Sequence, residues 1–363
     1  MTDATDARRR PPFGRRMVVG LGIGVAGLVV VALVAAIFVR LPYVVTSPGP
    51  VTPLDDDVLA IDGAATYDHD GEILFLTVTQ TRKRPNVYRV LRGWLDDSMT
   101  VQPEEDVLGD ESPADTLRLN VLLMQQSQIA AKAAALTTLG YDVETTPGGA
   151  LVRGLAPDGP ARDALRIGDV ITAVDGVVTT TAGAVGEAIR AGKPGDDVLL
   201  DIERSDADGG ATHEEITIRS DERDGEPFIG VLLTSYLAEP DFPVEITLDT
   251  REVSGPSAGL AFALAIVNDL SPGDLTAGEE IAVTGTVDAD GTVGPVGGIE
   301  QKTVGARRAG ASLLLVPEDE ADEARRHAGS LPVVGVATIA DAISALVEAG
   351  GAPPRTAPAS LAA

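Results

Sequence analysis

The sequence predicts an α+β protein with three parts: an N-terminal transmembrane helix, a β-rich domain of short strands and a C-terminal α/β domain. Three observations carry this. Met17–Val39 is 23 residues without a charge. Residues 142–222 alternate tight turns with short apolar strands. The C-terminal stretch contains "PSAGLAFALAIVNDL", which is apolar nearly all round and therefore marks a buried helix.

Composition bounds the function. At 363 residues and 44% apolar content the chain is long enough for two or three domains with sizeable cores. It has no cysteine, which excludes thiol catalysis, cysteine-ligated zinc and disulfides and leaves the redox compartment open. Three histidines argue against a polyhistidine metal site, and no cofactor or metal is expected. With 28 basic and 55 acidic residues the net charge is −27, which repels phosphate backbones and argues against a nucleic-acid partner.

The first 16 residues carry Arg8, Arg9, Arg10, Arg15 and Arg16. At about 1.5 Å per residue, the uncharged run at 17–39 is long enough to cross a hydrocarbon core of about 30 Å. Arginines ahead of it and Asp55–Asp57 beyond it place the N-terminus in the cytoplasm and the remainder outside. A cleaved signal peptide is the competing reading, but its apolar region is usually shorter. The lipid bilayer is therefore an expected partner, and the expected location is a single-pass position in the cell membrane.

Residues 43–141 form an extracytoplasmic N-terminal region. It opens with a Pro-rich connector and contains "GEILFLTVTQ" (71–80), an alternating, β-branched strand. This strand is a candidate part of the C-terminal lobe, with the β-rich domain inserted between the two. "NVYRVLRGWLDD" reads as a helix whose Trp94 suits either lipid headgroups or a core. Residues 120–141 form a strong Ala- and Leu-rich helix signal that stops at Gly140. The tail, 351–363, is small, Pro-rich and expected to be disordered.

Gly255-Pro256-Ser257-Ala258-Gly259 matches G-x-S-x-G, the pattern of a hydrolase nucleophile elbow. A Ser-His-Asp site needs a later histidine, and only His327 follows, in a charge-rich helical stretch. His69 and His213 precede the serine in polar stretches that read as turns, so all three read as surface residues. Ser254 or Gly255 can cap the buried helix, with Pro256 in its first turn. Ser257 then lies at a helix N-terminus, where free N–H groups and the dipole favour an oxyanion. Ala258 and Gly259 would keep the approach open to a peptide backbone. The one lysine after the serine is Lys302, in the first turn of a helix starting near Ile299. Buried, it would lose its charge readily and act as a base; exposed, it is an ordinary helix lysine.

Two resemblances extend these readings. Gly159-Pro160-Ala161, Leu165, Ile167-Gly168-Asp169-Val170-Ile171 and Val174-Asp175-Gly176 make 142–222 resemble a bacterial PDZ domain. That implies capture of an extended peptide as an added strand beside a helix. The expected groove lies between Gly149, Ala150, Leu151 and Val152 and a helix carrying Val185 and Ile189, with "TPGGA" (146–150) as candidate carboxylate loop. Residues 226–350 resemble the Lon-type serine protease domain. The residues that carry this are Gly255–Gly259, Thr284-Gly285, Gly291, Val293, Pro295-Val296-Gly297-Gly298, Lys302, Ala306, Ala309-Gly310 and Val316-Pro317. It implies a Ser257–Lys302 dyad with Thr284 as a hydrogen-bond partner of the lysine. Many relatives carry an acidic residue where this chain has Ser254. No G-x-x-x-x-G-K-[ST] occurs, so no ATPase module is expected in these 363 residues. The whole resembles the membrane-anchored, PDZ-containing Lon-like proteases: an ATP-independent serine endopeptidase acting on extracytoplasmic proteins or peptides. Homo-oligomerisation stays open. The competing function is a non-catalytic PDZ scaffold on a membrane anchor.

Overall fold

The computed structural model describes residues 27, 28, 30, 31, 33–81, 83–108, 113–205, 211–250 and 255–355. Much of the expected transmembrane run, Ser254 and the tail from 356 onward lie outside the described residues. Residues 27–38 are helical where described, and their large apolar side chains are exposed, Phe38 at 75%. Among the described residues no helix is long and apolar enough to cross a membrane.

The chain divides into two compact units, Met1–Thr46 with Gln80–Val107 and Ser47–Thr79 with Leu108–Ala363. In the first, the start of β1 (Tyr43–Pro53) pairs antiparallel with the strand Thr100–Pro103. Helix α1 (Val87–Leu95) is capped by Asn86, whose side chain accepts the Arg89 N–H. Gly93 lies against Val101 so closely that a Cβ there would stand 2.4 Å from Val101 Cγ2. Trp94 is no core residue: it is 59% exposed and meets Tyr43 edge-on at 6.0 Å.

The second unit holds most of β2 (Glu72–Gln80), the strand expected at 71–80. The long helix α2 spans Pro113–Thr138, starting seven residues before its expected start, and Gly140 stops it with φ +85°. The β-rich domain follows. Its strands are β3 (Pro147–Leu155) and β4 (Val170–Val174), then, after helix α3 (Ala182–Arg190), β5 (Asp197–Ser205), β6 (Ala211–Arg219) and β7 (Val231–Leu237). The antiparallel order is β7-β3-β4-β5-β6. Val231–Leu237, placed in the C-terminal domain by the sequence, thus belongs to this sheet. Asp169, in the turn before β4, is buried and holds the Arg204 guanidinium with two hydrogen bonds of 2.7 and 2.8 Å. Asp175-Gly176 turns with φ +52° and +74°, the positive-φ pair a tight hairpin requires.

Helix α4 (Gly259–Asp269) opens the C-terminal part, followed by β8 (Glu280–Val283), α5 (Ile299–Ala309), β9 (Leu313–Pro317), α6 (Ala321–Ala328), β10 (Val333–Val336) and α7 (Ile339–Glu348). β8 runs parallel to β9 on one side and to β2 on the other, and β9 runs parallel to β10. A strand from before the β-rich domain therefore shares a sheet with strands from after it. Ile73–Leu76, Ile281–Val283 and Leu313–Val316 are buried without alternation, as expected of parallel strands covered on both faces. On one face Phe75, Val283 and Leu315 join a core with α4 and with Ala131, Ala134, Ala135 and Leu136 of α2. On the other, Leu76, Ala282, Leu314 and Val316 pack with Ala306 of α5 and Ala324 of α6. Gly259–Asn268 are all buried, and each large apolar side chain among them contributes about 1.5–3 kcal/mol. That burial anchors the turn ahead of α4.

Candidate active site

The chain reaches α4 through Gly255, with φ +108°, and a 3-10 turn at Pro256–Ala258. Gly255 precedes the turn with no side-chain cap, so the expected α-helical start at Pro256 is tightened by one turn. Ser257 is half-buried there. Its carbonyl accepts two hydrogen bonds, from Thr284 Oγ1 and from the Gly285 N–H, both 3.1 Å. The Leu260 N–H returns to the Gly285 carbonyl at 3.1 Å. The end of β8 thus grips the turn from one side. Helix α2 grips it from another: Ser127 Oγ donates to the Pro256 carbonyl at 2.9 Å, and the Gly255 N–H donates to the Asn120 carbonyl at 3.2 Å.

Lys302 comes from α5. That helix starts after Gly298, whose φ of +71° suits glycine and whose added Cβ would stand 2.7 Å from Val78 Cγ1. The Lys302 N–H donates to the Gly298 carbonyl at 3.0 Å, which places Lys302 in the first turn. Its side chain is not solvated: the residue is 2% exposed. Its Nζ donates to Thr284 Oγ1 at 3.1 Å. Burial pushes the Lys302 ammonium down to about 8, against the opposing pull of the Glu320 carboxylate. At that value about a tenth of the molecules carry a neutral amine at pH 7. Burial likewise raises Glu320, opposed by the Val296 N–H that it accepts at 3.0 Å.

Thr284 is the common partner. It is fully buried, accepts from Lys302 and donates to the Ser257 carbonyl, so its hydroxyl is used in both senses. The serine turn and the lysine, 45 residues apart in sequence, are tied to one threonine.

Ala258 and Gly259 do not serve as an open approach. Both are buried, and a Cβ on Gly259 would stand 2.7 Å from Ser127 Oγ. Their small size admits α2 and not a substrate. The histidines lie elsewhere. His69 is half-buried, and its Nε2 lies 2.9 Å from the carbonyl of Asn268, near the end of α4 remote from Ser257. His327 faces Glu300 at 3.8 Å, and His213 is exposed on β6, a strand and not a turn.

The residues expected to line the peptide groove do not form an open edge. Ala150, Leu151 and Val152 are buried in β3, which has β7 on one side and β4 on the other. A strand paired on both edges cannot accept a third. Gly149 serves the β3–β4 approach, where a Cβ would stand 2.5 Å from the Ile171 carbonyl oxygen, and "TPGGA" therefore runs into the sheet and not into a carboxylate loop. Val185 and Ile189 are core residues of α3. β7 and β6 are the end strands of the sheet; β7 is the one beside β3, with Leu232 57% exposed. Ser235 Oγ on β7 accepts the Ala182 N–H at the start of α3. The apolar run "FIGVLLTSYL" (228–237) is a signal the sequence analysis passes over, and nothing local in it reveals that it pairs with β3.

Residues 249–344 match the family model of the Lon protease (S16) C-terminal proteolytic domain, and residues 137–217 match that of the PDZ domain. The chain carries a Lon-type proteolytic domain and a PDZ domain. A Lon protease of Phenylobacterium zucineum is 34% identical over 115 residues, 31% of this chain and 14% of that protein. The mitochondrial Lon protease homolog of Drosophila melanogaster is 46% identical over 84 residues, 23% of this chain and 8% of that protein. The chain thus spans about a seventh or less of the length of these two curated relatives. The PDZ domain of an SdrC-like protein from Listeria monocytogenes shares 30% identity, covering 25% of this chain and 93% of that one at a TM-score of 0.22.

The buried lysine makes stability depend on pH. Its folded value of about 8 lies below the unfolded value of about 10.4, so between them the unfolded chain binds more protons. Stability at this site therefore rises as pH increases from about 8 to about 10.4. Lys302→Met should remove that rise and stabilise the protein at pH 7 by on the order of 3 kcal/mol. Denaturant unfolding at pH 7 and pH 10 measures both effects; a variant with unchanged pH dependence would contradict the burial.

Proposed function

We propose that this protein is an ATP-independent serine endopeptidase with a Ser257–Lys302 dyad. The observation that carries the reading is the buried Lys302 amine, lowered to about 8 and bonded to the threonine that holds the Ser257 carbonyl. The neutral amine takes the Ser257 proton as Oγ attacks the scissile carbonyl. The backbone N–H of Ser257 itself, the first in the turn after Pro256, receives the oxyanion. The Lys302 ammonium then returns its proton to the leaving amine, leaving an acyl ester on Ser257. Lys302 deprotonates a water, which releases the acid and restores the serine. Protein or peptide chains are the substrates. Their extended ends add to the outer edge of β7 beside α3 ahead of Leu237, the mode by which PDZ domains take peptides.

The anchor belongs to the same proposal. It is supported by the arginine-flanked, uncharged run at 17–39 and by exposed apolar side chains on its described part and on α1, including Leu91, Trp94 and Leu95. Tyr88 of α1 donates to the Leu33 carbonyl, which joins the two apolar surfaces. The catalytic domain then lies outside the cytoplasm. A protease added to intact, wall-stripped cells should digest the chain beyond Tyr43 and spare the N-terminal arginines; protection of the whole chain would reverse the orientation.

Lys302→Arg keeps the charge but supplies no usable base, because a guanidinium does not deprotonate in proteins. Ser257→Ala removes the nucleophile. Each change should lower cleavage of an unfolded protein substrate by about a thousandfold or more, and the double change should be no worse than either alone. Full cleavage by a folded Lys302→Arg protein would eliminate the dyad.

A further inference from the structure

The β7 edge is not free along its whole length. At its last residue, Gln126 of α2 donates from Nε2 to the Leu237 carbonyl at 3.1 Å and accepts the Leu237 N–H on Oε1 at 2.7 Å. One side-chain amide thus makes the paired donor and acceptor contacts that a neighbouring antiparallel residue makes across a ladder. The next residue on the same helix, Ser127, is buried and holds the Pro256 carbonyl immediately before Ser257. Two neighbouring side chains of one 26-residue helix therefore bind the peptide edge of one domain and the nucleophile turn of the other.

We propose that Gln126 is a built-in competitor for the far end of the β7 edge, and that its displacement by a long peptide is passed to the Ser257 turn through Ser127. The proposal rests on the reading of β7 as the peptide edge. A peptide of four residues pairs along the strand before Leu237 and leaves Gln126 in place. One of ten residues runs on to Leu237 and takes its N–H and carbonyl from Gln126. Freed there, α2 moves together with the turn it holds: hydrogen bonds of 2.9 Å (Ser127–Pro256) and 3.2 Å (Asn120–Gly255) tie the two, and Gly259 leaves no gap beside Ser127. Chain length at the groove is in this way sensed at the nucleophile.

The test uses the full chain and two synthetic peptides with the same apolar C-terminus, of four and ten residues. Fluorescence anisotropy gives their affinities. Hydrogen exchange across 255–260 reports the turn whether or not the protein cleaves anything. Gln126→Ala should bind the ten-residue peptide about five- to tenfold more tightly and the four-residue peptide unchanged, since two modest hydrogen bonds no longer compete. In the native protein the long peptide should alter exchange at 255–260 and the short one should not. Ser127→Ala should bind both peptides as the native protein does yet lose the exchange response. Gln126→Glu keeps the acceptor but not the donor and should also favour the long peptide, which guards against a folding artefact in the alanine variant. Equal effects of Gln126→Ala on both peptides, or an undiminished response in Ser127→Ala, would overturn the inference while leaving the groove intact. Failure of either peptide to bind the native protein would remove the groove reading, and the inference with it.

Discussion

The hydrogen bond between Lys302 Nζ and Thr284 Oγ1 depends on most of the C-terminal lobe, and most of the candidate chemistry depends on it. A lysine stays buried only if its polar end has a partner, because an unpaired ammonium in low dielectric is costly. Thr284 supplies the partner from the end of β8, a strand held by parallel neighbours on both sides. Gly298 supplies the entry of α5, at a place where a side chain would strike Val78. The hydroxyl that receives the lysine donates in turn to the Ser257 carbonyl. Removing the Thr284 hydroxyl leaves the lysine buried without its partner, and a side chain at position 298 moves it away from the serine turn.

The lobe that holds this bond is discontinuous in sequence. β2 pairs with β8 although about 200 residues separate them, and the PDZ sheet lies between them in the chain. Such a pairing closes a long loop, and loop-closure entropy grows only slowly with length. The insertion is therefore tolerable in stability, but the non-local contact slows folding. The arrangement also gives α2 its position, since it leads from the first part of the lobe into the PDZ domain. Its Ala131, Ala134 and Ala135 pack in the core with α4. The helix is a structural neighbour of Ser257 before it is anything else.

Much of the site was legible in the sequence, and the reasons are local. Gly255–Gly259 before an apolar run marks a buried helix with a serine at its start, and one lysine follows that serine. The Gly297-Gly298 pair placed Lys302 in a first helical turn, as found. What sequence alone left open was the burial of Lys302, because periodicity does not tell a covered first turn from an exposed one. Ala150–Val152 fail as an open edge for a different reason. They have the right apolar texture, but which strand ends a sheet is decided by pairing far away in sequence, here Val231–Leu237 with Pro147–Leu155. Ala258 and Gly259 illustrate the same limit: small residues beside a nucleophile suit a substrate or a packed helix equally, and α2 is the neighbour that decides. Gln126 carried no signal, since its partner is main chain 111 residues away.

The central claim is that Lys302 is a buried amine that loses its proton near neutral pH beside Ser257. The chain has four lysines, Lys83, Lys132, Lys193 and Lys302, so each can be followed individually. The direct measurement is an NMR titration of the lysine Cε carbons in the Ser257→Ala protein, with Lys302 assigned by its loss in Lys302→Arg. The account predicts a Lys302 inflection near 8, more than two units below the ordinary lysine value of about 10.4. A Lys302 inflection at that ordinary value would contradict the account, because the amine would then be solvated and unfit to activate the serine.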